Sequence, residues 1–424
     1  MIGGAKMYYG WGSQDSFLSE SEVTDIILNV IPPSSVNGKK ILVLTPDGTR
    51  TFPHGMFIRI FVKAYGRIAK KIDFMVALGT HRILTDRELE ELFEVSEFRA
   101  LLTDRVSFLN HRWDVVSTFK KIGCLGEDEI RSFTEGIFSE EVEITINRAV
   151  FEYDLIVILG PVFPHEIVGF SGGYKYFFPG ISGGKFLHFF HWLGAVITNM
   201  KIIGRIDTPV RRLINRAAEF LELNIVGIST VLDMDRNLKG LYAGDVNDAW
   251  LKAAELSSLI HVKRVPHPFR LIIGVTSDKY DELWTGGKTM YKLEPVVENG
   301  GRLIIYAPHL KTISYTWGKY LHKIGYHIRD YFLSQMERFR DIPKAVLAHS
   351  SHVKGTGIYQ NGIEEPRIDV ILATSIPESV CREINLGYLN PEGLNLDELK
   401  NREEEGILVV ENAGEILYRL EDDI

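Results

Sequence analysis

The stretch Lys40–Arg50, KILVLTPDGTR, is a short apolar run that breaks at once into a polar turn. Its aliphatic residues, stopped by Pro46 and Gly48, predict a short buried strand with a turn at its carboxyl end. The event repeats: Phe74–Leu78 (FMVAL) runs into Gly79-Thr80-His81-Arg82, and Leu155–Leu159 (LIVIL) into Gly160-Pro161-Val162-Phe163-Pro164-His165. Later apolar runs are Leu271–Val275, Leu303–Ala307, Val370–Ala373 and Ile407–Val410. Helical patterns lie among them. Thr85-Asp86-Arg87-Glu88 is a capping box ahead of LEELFEVSEFRALL. Pro209–Leu223, Ala249–Leu256 and Glu294–Asn299 also read as helices. The alternation predicts an α/β protein with mainly parallel sheets.

Val265-Pro266-His267-Pro268 interrupts regular structure, and a fresh strand pattern starts just after it. The expected organisation is a cofactor-binding catalytic domain over residues 1–265. A smaller α/β domain over 266–424 would close a substrate cleft between the two.

Composition narrows the classes of function. The chain has 424 residues, with 45% hydrophobic and 25% charged, which is ordinary for a globular protein. A net charge of −8 argues against a nucleic-acid partner. Two distant cysteines, Cys124 and Cys381, leave no disulfide framework or CxxC metal site. No apolar run is long enough to span a membrane, and MIGGAKMYYGWG lacks a secretory h-region, so a cytoplasmic enzyme is expected. Met7 is a possible start, with 1–6 a disordered leader.

In parallel α/β sheets, ligands gather beyond the carboxyl ends of strands. The three polar turns therefore point to one site. After His165 comes Gly169-Phe170-Ser171-Gly172-Gly173-Tyr174-Lys175, whose glycines suit close approach to a phosphate-bearing group but lack Walker A spacing. Lys175 sits among Tyr174, Tyr176, Phe177 and Phe178. Apolar surroundings favour a neutral, nucleophilic amine, and pairing with phosphate or reaching to water are the plainer readings. His188 and His191 are three apart on a helical pattern, so they suit either a shared metal or an aromatic core helix.

Taken together, these motifs resemble the nickel-dependent lactate racemase family. The carriers are the D-x-T-R turn at Asp47–Arg50, GTHR at Gly79–Arg82, PHxxxGFSGGxK at Pro164–Lys175, Pro179-Gly180, and His191 sixteen residues after the lysine. The resemblance implies a racemase or epimerase that inverts C2 of a 2-hydroxy acid by hydride transfer to a cofactor. It implies nickel and a pyridinium-3-thioamide-5-thiocarboxylic acid mononucleotide bound covalently to Lys175, with His191 on the metal. His81 and His165 take the acid/base roles. Arg50 and Lys288 bind substrate. Asp47, Ser171, Gly172 and Gly173 lie on the cofactor side. Cofactor-biosynthesis proteins become implied partners.

Two departures stand out. Gly48 replaces the histidine of the family's D-H-T-R turn, and Thr285 stands three residues before Lys288 where the lactate enzyme has glutamine. With Gly286 and Gly287 beside it, Thr285 suggests room and a hydroxyl for a longer or more hydroxylated acid than lactate. Two alternatives remain: a histidine-metal hydrolase built on His188 and His191, and a nucleotide-binding protein without catalysis. His111-Arg112-Trp113-Asp114 reads as a structural cluster. His309, His349 and His352 have no matched partner, and the tail Glu421-Asp422-Asp423 is expected to be solvated.

Overall fold

The computed structural model describes residues 7–79, 81–134, 136 and 138–423. The leader call on 1–6 and Thr80 of the GTHR turn lie outside them. Contacts divide the chain into two units. The first holds Met1–Phe163, Phe170–Leu187 and Arg211–Ile260, and the second holds Pro164–Gly169, His188–Val210 and His261–Ile424.

The first unit is built on a seven-stranded sheet. Its strands are β1 (Tyr8–Gly12), β2 (Lys40–Thr45), β3 (Lys71–Val76), β4 (Val106–Asn110), β5 (Leu155–Pro161), β6 (Ile225–Leu232) and β7 (Leu238–Gly244). The order is β1-β7-β6-β5-β2-β3-β4. The five strands from β6 to β4 are parallel, and β7 and β1 add an antiparallel edge. The chain builds outward from β2 in both directions, so the switch point lies between β2 and β5. All seven residues of β5 are buried, as expected of a central strand covered on both faces. The edge strand β1 alternates between half-buried and exposed instead. Phe57, Phe61, Phe74 and Phe93 anchor the core at 0% exposure. Each contributes about 1.5–3 kcal/mol of transfer free energy.

The second unit carries a five-stranded, wholly parallel sheet. Its strands are β8 (Phe269–Thr276), β9 (Val297–Ala307), β10 (Asp369–Thr374), β11 (Gly387–Leu389) and β12 (Ile407–Ala413). The order β11-β10-β9-β8-β12 puts the switch point between β8 and β12.

The Thr85–Glu88 capping box forms as read, with both reciprocal bonds. Glu294–Asn299 does not form a helix. The helix there is Lys288–Leu293, and Pro295 falls in a single tight turn before β9. The acidic tail is not simply solvated either. Asp423 pairs with Arg419 and, at 3.0 Å, with Arg205.

Candidate active site

β2 delivers Asp47 and Arg50 to the first switch point. Asp47 is 8% exposed, and the Thr49 hydroxyl donates to its Oδ1 at 2.6 Å. Its other oxygen binds His81 Nδ1, brought in by the turn after β3. Trp113 Nε1 donates to the His81 carbonyl at 2.8 Å and fixes that turn from outside. Burial alone would raise the Asp47 pKa. His81, Thr49 and Arg50 outweigh it and hold the carboxyl well below the usual carboxylate range. Asp47 is therefore an anion that fixes the Nδ1–H form of His81. The Nε2 lone pair is left on a side chain 44% exposed. An imidazole oriented in this way has the geometry that general-base chemistry requires. The Arg50 guanidinium lies 4.8 Å from the Phe163 ring centroid, so the residue that follows β5 steadies the one that follows β2.

The glycine-rich loop lies in the same unit. Ser171 Oγ donates to the Pro161 carbonyl at 3.0 Å and accepts from Phe163 N–H at 3.0 Å. Its hydroxyl proton therefore serves the loop. Gly172 and Gly173 have φ of 81° and 59°, the left-handed region that glycine tolerates. A Cβ on Gly172 would also stand 2.7 Å from Val162. Lys175 is joined to the His81 turn through the main chain. Gly180 N–H donates to the Lys175 carbonyl at 3.1 Å, and Gly79 N–H to the Gly180 carbonyl at 2.8 Å.

The second unit holds His165, His191, Thr285 and Lys288. His165 is 4% exposed. Its Nδ1 accepts Ile167 N–H at 3.2 Å and lies 3.4 Å from Glu166. These two contacts belong to different protonation states: the neutral ring accepts from Ile167, and the protonated ring faces the carboxylate. His191 is half-buried on the helix Gly184–Ile197, with Phe190 and Trp192 fully buried beside it. The Lys288 ammonium sits 4.6 Å from the Tyr280 ring centroid. Thr285 Oγ donates to the Glu282 carbonyl at 3.1 Å, so toward a ligand it has only lone pairs to offer. The space beside Gly287 is not empty: a Cβ there would stand 2.8 Å from Val353 and 3.0 Å from the Tyr291 hydroxyl.

Among the other histidines, His349 is held through both ring nitrogens, by Tyr291 at 2.8 Å and Tyr326 at 3.2 Å, and burial pushes its pKa well down. His352, three residues on, is buried too and falls to about 4. His309 bonds the Tyr280 carbonyl at 3.0 Å, and buried His111 meets the Asn147 amide at 3.1 Å.

Sequence reasoning missed Glu415, which follows β12 at the second switch point. It binds Lys279 at 2.6 Å and the Tyr280 hydroxyl. Burial opposes its ionisation, yet Lys279, Tyr280 and Lys288 bring its pKa down to about 2. Applying the strand-end argument to Ile407–Val410 would have found it. Lys292 was also missed. It is 3% exposed and donates to the Pro164 carbonyl at 2.7 Å, next to His165. No sequence signal marks it.

Among the described residues, no group of three or more His, Cys, Asp or Glu side chains is placed to hold a metal ion. The hydrolase alternative needs such a group. A metal held by one protein donor, with the rest of its ligands from an organic group, would not.

Residues 31–202 match the lactate racemase N-terminal domain family. The chain is 24% identical over 273 residues to lactate racemase of Thermoanaerobacterium thermosaccharolyticum, covering 63% of this chain and 60% of that protein. It is 29% identical over 217 residues to lactate racemase of Lactiplantibacillus plantarum, covering 49% and 46%. Each alignment thus spans less than two thirds of the relative's own length. A crystal structure of a Thermotoga maritima protein superposes with a TM-score of 0.85 at 32% identity, over 97% of this chain and 100% of that one. The lactate racemase apoprotein of T. thermosaccharolyticum shares the fold, with a TM-score of 0.73 at 20% identity over 95% and 94%. On these matches, residues 31–202 form a lactate racemase N-terminal domain, and the chain as a whole is similar to lactate racemases.

Proposed function

We propose that the protein is a cytoplasmic isomerase, a racemase or epimerase that inverts C2 of a 2-hydroxy acid. The observation that carries this reading is the Asp47–His81 pair beside Arg50 at the first switch point. A 2-hydroxy acid offers a carboxylate for Arg50 to clamp and a hydroxyl proton for His81 Nε2 to take. His165 takes the equivalent role for the opposite enantiomer, where Glu166 can balance its protonated ring. Lys288 supplies a second cation for the acid. Bound through Lys175 and His191, the nickel pincer nucleotide would supply a hydride acceptor, which spares the substrate a carbanion at C2. Ser171, Gly172 and Gly173 shape the loop on the cofactor side.

The favoured substrate is a longer or more hydroxylated acid than lactate, because Thr285 stands where the lactate enzyme has glutamine. The cytoplasmic assignment fits two free cysteines, and among the described residues no helix is long and apolar enough to cross a membrane. Cofactor-making proteins are the implied partners.

The test is intact mass, peptide mapping and nickel analysis after co-expression with a cofactor-making system, followed by a hydroxy-acid panel. The expected result is one adduct on Lys175, one nickel per chain, and racemisation or epimerisation of at least one acid. An adduct on another residue, or a loaded enzyme inert toward every 2-hydroxy acid, overturns the reading.

A further inference from the structure

Arg211 lies in the first turn of the helix Pro209–Ala218 and is 3% exposed. Its guanidinium reaches two main-chain oxygens of one loop: Nη1 donates to the Gly172 carbonyl at 3.1 Å, and Nη2 donates to the Phe170 carbonyl. The carbonyl between them, that of Ser171, accepts the Trp250 indole N–H at 2.7 Å. The guanidinium itself lies 4.0 Å from the Trp250 ring centroid. Three successive carbonyls are thus gripped by two buried side chains from helices later in the chain. The Gly172 carbonyl also accepts the Lys175 N–H at 3.3 Å, so the oxygen that Arg211 anchors is the one that anchors the lysine's backbone.

Burying a guanidinium is expensive, and an aliphatic residue would pack a helix more cheaply. Burial lowers the Arg211 pKa only to about 9, so the group stays charged at neutral pH and its bonds to the carbonyls are charge-assisted. In a trans peptide the N–H points opposite the C=O. Holding carbonyls 170–172 toward Arg211 and Trp250 therefore turns the N–H groups of Gly172 and Gly173 the other way, as an anion-holding loop requires.

We infer that Arg211 and Trp250 are a positioning pair for Lys175, fixing the three peptide planes that present its amine and the loop N–H groups to a bound group. The inference rests on the proposed function for what Lys175 carries, though not for the clamp. A lysine at 211 is a point donor and cannot fork between two carbonyls.

Hydrogen exchange by mass spectrometry on the full chain tests the clamp, using wild type, Arg211→Lys and Trp250→Phe. In Arg211→Lys, exchange across residues 170–176 should rise about tenfold or more, the scale of one lost charge-assisted bond. Trp250→Phe, which keeps a ring but loses the donor, should show a smaller rise at the same residues. β2 and β5 should keep their protection in both. Co-expression with a cofactor-making system should give markedly lower adduct occupancy on Lys175 in Arg211→Lys than in wild type. Unchanged exchange at 170–176 in both variants overturns the inference. So does protection lost equally across β2 and β5, or adduct occupancy equal to wild type. A wild type that takes no adduct, with the exchange change still confined to the loop, fails the functional reading and leaves the clamp standing.

Discussion

The two units place polar residues at the same topological address and use them differently. At the β2/β5 switch point a buried carboxylate, Asp47, is matched to a histidine. At the β8/β12 switch point a buried carboxylate, Glu415, is matched to Lys279, to the Tyr280 hydroxyl and to the field of Lys288. A carboxylate beside imidazole fixes which ring nitrogen holds its proton and leaves the other to accept one, so that end can move a proton. A carboxylate between ammonium groups holds charge in place, so that end can bind an anion but has no proton to exchange at pH 7. The parallel sheet dictates where chemistry can be put, and the partner of the carboxylate decides what kind.

The sharpest way to break this contrast is at the first end. His81→Ala and Asp47→Asn should each lower kcat of loaded enzyme by roughly 10²–10⁴, the range for losing or misorienting a general base. Nickel and adduct content, measured on the same samples, should hold. Near-normal turnover in either variant would remove the proton-handling role.

Acid should erase what the two units share. Burial depresses His54 and His111 in the first unit and His352 in the second, each to about 4. The unfolded chain, with histidine near 6.5, takes up these protons first, so stability is present above that value and is lost as pH falls toward 4. By linkage each such group costs about 3 kcal/mol once the pH is below its folded pKa. The melting temperature measured by calorimetry should therefore drop steadily from pH 6.5 to 4. His352→Gln should flatten part of that slope, and an unchanged slope would refute its share.

At the second end, Lys288→Met should reduce kcat/KM by roughly 10- to 100-fold, the worth of a charge-assisted bond, mainly through KM. A fall confined to kcat would instead make Lys288 part of the proton path. The smallest effect belongs to Thr285→Ala. Its hydroxyl proton already serves the Glu282 carbonyl, so stability should change by about 1 kcal/mol or less. Discrimination among hydroxy acids should shift only modestly. A large loss for hydroxylated acids alone would show that the Thr285 lone pairs read the substrate.

Much of this was legible in the sequence. Every strand read from an apolar run exists, because continuous aliphatic runs suit strands buried on both faces. The strand-end turns carried Asp47, Arg50 and His81 with them. β6 was missed because Gly227, Ser229 and Thr230 dilute its run, and β1 because an edge strand alternates weakly. Arg211 could not be told from Arg212 in a pattern alone, although one is buried over Trp250. His349 looked like any histidine until two tyrosines were found to occupy both its nitrogens. Burial and partners of long polar side chains are products of tertiary packing, and periodicity does not encode them.

The chain passes between its two units at 163/164, 169/170, 187/188, 210/211 and 260/261. As synthesis proceeds, the stretches 164–169 and 188–210 emerge long before the sheet with which they are grouped. His165 and His191 therefore precede in synthesis every strand of that sheet, which begins at Phe269. Contacts of that sequence separation slow folding, because loop closure must precede the reward. A cut at 260/261 would leave all of the first unit in one fragment but would part His165 and His191 from the sheet with which they are grouped.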